Sequence, residues 1–294
     1  MKIGFTLKPK DGNILDFEKQ IENLEKIGAE TAEIPLYELD VICGKKIIQD
    51  ELKLLNKITR NSNLNFSIHG SMSVNLLDKD YLEDHLEVLK REIEVCSDLN
   101  INILVTHFGH TSVETSKNKK KYGDLINIQK QKYFEMAEIA KVHGVKLCIE
   151  NIFPYTNLHF TALPSEVSDN IREIDHPNAR TTIDFSHAYI NCNLRNKDLI
   201  PEIETMIPFT EHLHVHDSFG KYKTMYTYIF AEDITYGQGD IHLPLGWGNI
   251  PFDEIFSACA FKKDIFFNFC LSRRYEKYYS QNVKKAKKLI SLVI

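Results

Sequence analysis

Apolar and polar residues along this chain follow two alternating rhythms. Short runs of β-branched and aromatic residues, apolar on both faces, are separated by longer stretches whose apolar positions recur every third or fourth residue. The first run is Lys2 to Leu7. A helix is predicted over Asp16 to Ile27, with Phe17, Ile21, Leu24 and Ile27 on one face and Gly28 as its stop. "TAEIPL" (Thr31 to Leu36) predicts a second strand, and Ile47 to Thr59 a second helix. "NFSIHG" (Asn65 to Gly70) predicts the third strand, followed by a helix with Leu82, Leu86, Leu89, Ile93 and Cys96 on one stripe. The fourth strand is expected over Asn102 to Gly109, then a helix from Ile126 to Val142 capped by Gly144. Strands five to eight are expected at Lys146 to Asn151, Ala179 to Ala188, Glu211 to Ser218 and Asp264 to Leu271, with a lysine-rich helix at the end. Strands apolar on both faces predict a parallel sheet covered by helices. Eight of them close a barrel, so the expected fold class is α/β, a (β/α)8 TIM barrel, as one domain over residues 1–294.

Composition narrows this picture little. Hydrophobic residues make up 43% and charged residues 26%, which suits a globular chain and argues against disorder. A net charge of -5 offers no footprint for nucleic acid, and nucleic acid is not expected as a partner. The one dense basic run, Lys117 to Lys121, reads as a solvated loop. Cys43, Cys96, Cys148, Cys192, Cys259 and Cys270 are scattered, with no CxxC pair, and read as reduced core residues rather than disulfides or a thiolate zinc site. The start "MKIGFTLK" has no signal-peptide core, and no segment carries the roughly 18 apolar residues of a membrane span. A cytoplasmic enzyme without membrane association is the expectation.

The chemistry shows in where the polar residues fall. Ligand-type side chains stand at or just past the C-terminal ends of successive strands: His69, His107, Glu150, Asp184 with His187, and His214. Asp240 and His242 stand in the loop before strand eight. A barrel gathers those strand ends on one face, where active sites of this fold lie. Taken singly, His69 and His107 read more readily as hydrogen-bonded structural histidines than as ligands. Glu150 and Asp184 are harder to dismiss, because a carboxylate ending an apolar strand is costly to bury unless it is paired or metal-bound. In "HLHVHD", alternation sends His212, His214 and His216 to one face, and one or two of them are expected as ligands. Histidine and carboxylate without cysteine suit zinc, with manganese or iron as alternatives, rather than calcium or magnesium; one to three divalent ions are expected.

The motifs "IHGSMSVNL", "VTHFGH", "CIEN", "IDFSHAY", "HLHVHDS" and "DIHLPLGWGNI" resemble those of the xylose isomerase-like TIM-barrel superfamily, over nearly the whole chain. That superfamily contains sugar isomerases and epimerases and the endonuclease IV type of apurinic-site nuclease. The resemblance implies one metal held by His69, His107 and Glu150, a second by Glu150, Asp184 and His214, and a third by His187, Asp240 and His242. One departure stands out. The superfamily ends strand eight with a metal-binding glutamate that also moves protons in the epimerases, and the matching residue here is Asn268. Asparagine can coordinate weakly through its carbonyl but cannot act as a base.

Two reactions follow from the resemblance. The first is metal-dependent isomerisation or epimerisation of a sugar or sugar phosphate, with Glu150 as the base and Asp184 and His214 beside it; Glu33 in "GAETAEIPL" fits that branch. The second is phosphoester hydrolysis by a polynuclear centre, on apurinic-site DNA or a small phosphorylated substrate. The acidic balance and Met72, where the nuclease branch has a DNA-contacting tyrosine, turn the expectation toward the first. Phe153, Tyr155, Tyr189, Phe219 and Trp247 are candidates for stacking on a sugar ring or for packing the loops.

Overall fold

The computed structural model describes residues 1–293. Eight parallel strands close a barrel: β1 (Lys2–Thr6), β2 (Thr31–Pro35), β3 (Asn65–His69), β4 (Ile103–His107), β5 (Lys146–Glu150), β6 (Ala179–Asp184), β7 (Thr210–Val215) and β8 (Phe266–Phe269). Each strand pairs with its neighbours in sequence order, and β8 returns to β1. Helices cover the outside, among them α1 (Asp16–Lys26), α2 (Gln49–Arg60), α3 (Leu82–Asp98), α4 (Lys119–Val142), α5 (Pro164–Ile174) and α6 (Phe185–Leu194). The expected (β/α)8 architecture is what the chain forms.

Strand parity decides what fills the barrel. Alternate residues point inward. Leu104, Leu147, Ile149, Leu213 and Phe267 belong to the large core beneath the helices, whereas Ile103, Val105, Cys148 and Phe266 form a separate apolar cluster. That cluster plugs the barrel interior. Two residues further along the same strands, the same parity places His107, Glu150 and Asn268 inward above the plug. Register then aligns the strand ends: His107 pairs with Glu150, Asp184 with His214, and His214 with Asn268.

Three expectations need correcting. Strand six stops at Asp184 rather than Ala188, because the Asp184 carboxylate accepts the His187 amide at 2.8 Å and caps α6 there. The basic run is not a loop. Asn118 caps the Lys121 amide, so Lys119 to Lys121 form the first turn of α4, solvated as expected but helical. Among the cysteines, five are buried and Cys43 is exposed; all are unpaired. No helix among the described residues is long and apolar enough to cross a membrane.

Candidate metal centre

A cavity of about 490 Å³ opens at the C-terminal ends of the strands. Glu150 lies at its base, 1% exposed and surrounded by four imidazoles. Its Oε1 stands 3.1 Å from His214 Nδ1 and 3.2 Å from His187 Nδ1, and its Oε2 stands 3.3 Å from His69 Nε2 and 3.6 Å from His107 Nε2. Backbone carbonyls settle three of these tautomers. His187 Nδ1–H donates to the Asn151 carbonyl at 3.0 Å, which leaves its Nε2 for Asp240. His69 Nδ1–H donates to the Gly70 carbonyl at 2.9 Å, and His107 Nδ1–H donates to the Met72 carbonyl at 3.1 Å. A carbonyl can only accept, so Nδ1 carries a proton in both His69 and His107, and Nε2 is the nitrogen turned to Glu150. Burial, the largest influence on His107, lowers its pKa to about 4 and keeps that ring neutral. Glu150 Oε2 is buried with no hydrogen-bond partner. Lone pairs that converge on one point without a proton between them fit a cation.

The second group builds on α6. Asn151 donates Nδ2–H to the Asp184 carbonyl at 2.9 Å and accepts the Asp184 amide at 3.0 Å, which ties the end of β6 to the end of β5. Asp184 Oδ2 then lies 3.1 Å from His216 Nε2 and 4.0 Å from His214 Nδ1. The ligand atoms of Glu150, Asp184 and His214 all lie within 4.8 Å of one another, as do those of His69, His107 and Glu150. Burial raises the Glu150 carboxyl, but His214, His187 and His69 outweigh it and hold the pKa well below the carboxylate range. Burial likewise opposes ionisation of Asp184, and His187 and His216 overcome it.

Asp240 centres a third group. Its Oδ2 lies 3.4 Å from His187 Nε2 and 2.7 Å from His242 Nε2, while Oδ1 accepts from Ser186 Oγ at 2.8 Å. His242 takes a positive φ of 48°, uncommon for a residue with a side chain, and its Nδ1–H donates to the Cys270 carbonyl, so Nε2 is the nitrogen turned to Asp240. The sequence-expected trio of His187, Asp240 and His242 is thus brought together. His216 joins it, with Nε2 3.6 Å from Asp240 Oδ1 and its ring stacked on His242 at 4.1 Å. All eight sequence-predicted site residues share this mouth.

Several members were not singled out from sequence. His216 is one, and its signal was the same alternation that exposed His214. Cys270, read from the sequence as a core residue, lines the cavity beside His214 together with Glu33, which the sequence marks in "GAETAEIPL", and Lys8 and Arg273 stand at the rim. Glu92, on the buried face of α3, accepts the Ser71 amide behind His69, and burial pushes its carboxyl up to about 7. Of the expected aromatics, Phe153 and Tyr155 line the cavity, whereas Trp247 packs edge-on against Tyr275 and Tyr278.

Comparison with known proteins agrees with this architecture. The xylose isomerase-like TIM barrel family matches residues 21–285. Among solved structures, a D-tagatose 3-epimerase-like protein superposes with a TM-score of 0.70 at 18% identity, covering 100% of this chain and 98% of that one. D-psicose 3-epimerase from Clostridium cellulolyticum H10 gives 0.69 at 16%, covering 100% of both. The 3-keto-D-glucoside 4-epimerase of E. coli gives 0.66 at 13%, covering 98% and 99%. At such identities the likeness shows the fold alone. A curated relative, 3-dehydroshikimate dehydratase of Bacillus anthracis, is 24% identical over 184 residues, 60% of this chain, and the match spans 61% of that relative's length. With its family matched from the first helix to the last, the chain belongs to the xylose isomerase-like TIM barrel proteins.

Proposed function

We propose that this chain is a divalent-metal-dependent isomerase or epimerase of a small sugar or sugar phosphate. The observation that carries the reading is the orphaned Oε2 of Glu150, buried among imidazole lone pairs at the base of an open cavity. The donors are oxygen and nitrogen, which suits zinc, manganese or iron. Glu150, Asp184 and His214 would hold the ion nearest the substrate, with His69 and His107 completing a neighbouring position on Glu150. A bound divalent ion supplies Lewis-acid polarisation of a carbonyl. Glu150 is the base, kept ionised by the imidazoles around it. Phe153 and Tyr155 offer apolar faces to a sugar ring, and Lys8 and Arg273 at the rim suit a phosphate. Support also comes from neighbours of the same fold: a D-tagatose 3-epimerase-like protein, a D-psicose 3-epimerase solved with D-tagatose, and a 3-keto-D-glucoside 4-epimerase.

A second reading, phosphoester hydrolysis, draws on the additional group at Asp240, His242 and His216, since two or three ions close together stabilise an in-line displacement. Metal analysis of protein purified without chelator separates the two, followed by turnover assays on ketoses, ketose phosphates, 3-dehydroshikimate and abasic-site DNA. Epimerised ketose with one manganese per chain supports the first reading. Incision of DNA with two or three zinc ions would replace it with the second.

Metal affinity is expected to rise with pH. Burial lowers the pKa of His187, but Asp184 and Asp240 outweigh it and hold the ring well above the usual imidazole value. His214 is also raised, burial being outweighed by Cys270, Glu33 and Glu150. His214, the one of these two rings assigned to the ion on Glu150 and Asp184, is therefore protonated in the metal-free protein at neutral pH, and binding there must expel about one proton. Affinity should climb by up to about tenfold per pH unit until that imidazole titrates. Zinc calorimetry across pH, in buffers of different ionisation enthalpy, measures the slope; a flat profile would remove His214 from the ligand set.

A further inference from the structure

Glu33 has no part in the chemistry above, yet it is fully buried in the wall of the same cavity. Its Oε1 accepts from Thr6 Oγ1 at 2.8 Å and from Asn268 Nδ2 at 3.2 Å. Its Oε2 faces His214 Nε2 at 2.8 Å and His212 Nε2 at 3.5 Å. The chain itself occupies this carboxylate, which leaves little for it to offer a metal or a substrate. Thr6, Asn268 and His214 all donate to it, and its effect on the site falls on the last two.

A carboxylate at this position can only accept. The His214 nitrogen that faces it therefore carries the proton, and Nδ1 is the nitrogen left over, 3.1 Å from Glu150 Oε1 and 4.0 Å from Asp184 Oδ2. The same logic fixes the amide of Asn268. Its Nδ2 faces both Glu33 Oε1 and Thr6 Oγ1, so the atom turned away is the carbonyl Oδ1, which is buried without a hydrogen-bond partner. Asn268 and His214 are in register on adjacent strands. A single anion thus sets the ring of one and the amide of the other.

We propose that Glu33 is a positioning residue: by binding His214 Nε2–H and Asn268 Nδ2–H it turns His214 Nδ1 and Asn268 Oδ1 toward a divalent ion held by Glu150 and Asp184. This rests on the metal-dependent reading of the site. It gives a neutral oxygen the place of a strand-eight carboxylate, while the charge of Glu33 reaches the ion through the imidazole and makes that ring a stronger donor. It also stands against a rival use of the same side chains. Glu33, His214 and Cys270 likewise bring ligand atoms within 4.8 Å of one another, and an ion there would take His214 through the opposite nitrogen.

The test is titration of the metal-stripped full-length protein with Zn(II) and Co(II), read by calorimetry, by absorption and by ¹⁵N spectra of histidine-labelled protein. The wild type should bind zinc through His214 Nδ1 with Nε2 protonated, and the cobalt form should show no thiolate charge-transfer band. Glu33→Gln, folded by circular dichroism, should lose about 10- to 100-fold in affinity. Because Glu33 acts partly through Asn268, Glu33→Gln combined with Asn268→Leu should lose less than the sum of the single losses. Zinc on Nε2, a thiolate–cobalt band, or undiminished affinity in Glu33→Gln each overturns the proposal and leaves metal dependence standing. If Glu33→Gln fails to fold, the nitrogen that zinc takes in the wild type decides alone. A wild type that binds no divalent ion overturns the functional reading and this assignment together.

Discussion

Replacing Glu150 with glutamine should lower kcat/KM by about 10³- to 10⁴-fold on whichever substrate the wild type turns over. The change is nearly isosteric, so the barrel should fold and the loss should be chemical. Glutamine removes the base, and it also disturbs the four imidazoles gathered on this carboxylate. His214 Nδ1 and His187 Nδ1 face Oε1, and His69 Nε2 and His107 Nε2 face Oε2. An amide NH2 in place of one oxygen would point protons at lone pairs or at N–H groups on that side, so metal content should fall with activity. Steady-state kinetics and elemental analysis on the same preparation measure both. Wild-type turnover in the Glu150→Gln protein would take Glu150 out of the active site and the proposed chemistry with it.

The second large effect is expected away from the ligands. Asp217→Ala should destabilise the fold by about 3 kcal/mol or more, as three backbone amides lose a charged acceptor. Asp217 Oδ2 accepts the Gly246 amide at 2.8 Å, and Oδ1 accepts the Ser218 amide at 3.0 Å and the Ile250 amide at 3.2 Å. Its backbone exchanges hydrogen bonds with Leu243 at 2.8 and 3.0 Å, immediately after His242. A Cβ at Gly248 would lie 2.5 Å from Asp217 Oδ1 and 2.2 Å from the Ser218 carbonyl, so this turn closes only around a glycine. Denaturant midpoints should shift by that amount. Metal held on Glu150 should be retained in the variant, because Asp217 orders the loop that follows His242 and not the barrel floor. Loss of that metal along with the loop would show that the two act as one unit.

The turn also shows how far a motif can be read without the fold. In "DIHLPLGWGNI" the spacing identifies an Asp-x-His pair and a Gly-x-Gly turn, but nothing local says what the glycines approach. Their partner is Asp217, on the strand-seven motif some thirty residues earlier, seen only once the two segments pack. Strand six is similar. "TTIDFSHA" reads as one apolar run because Phe185 and Ala188 are buried in a helix as they would be in a strand. The Asp184 cap that divides the run is a side-chain contact that periodicity does not register.

By itself the sequence determined the barrel and the neighbourhood of the centre. Strand parity and strand end are one-dimensional properties, and in a closed parallel barrel they suffice to send His69, His107, Glu150, Asp184 and His214 to one mouth. Only the tertiary structure decided who faces whom. Glu33 meets His214 across 181 residues and Asn268 across 235, and His216 joins Asp240 and His242. Those pairings follow from strand order, register and barrel closure, which bring β2 around to β7 and β8 and which no local spacing encodes. Asn268, which from the sequence is simply a carboxylate missing, becomes in the fold an amide held by the carboxylate of another strand.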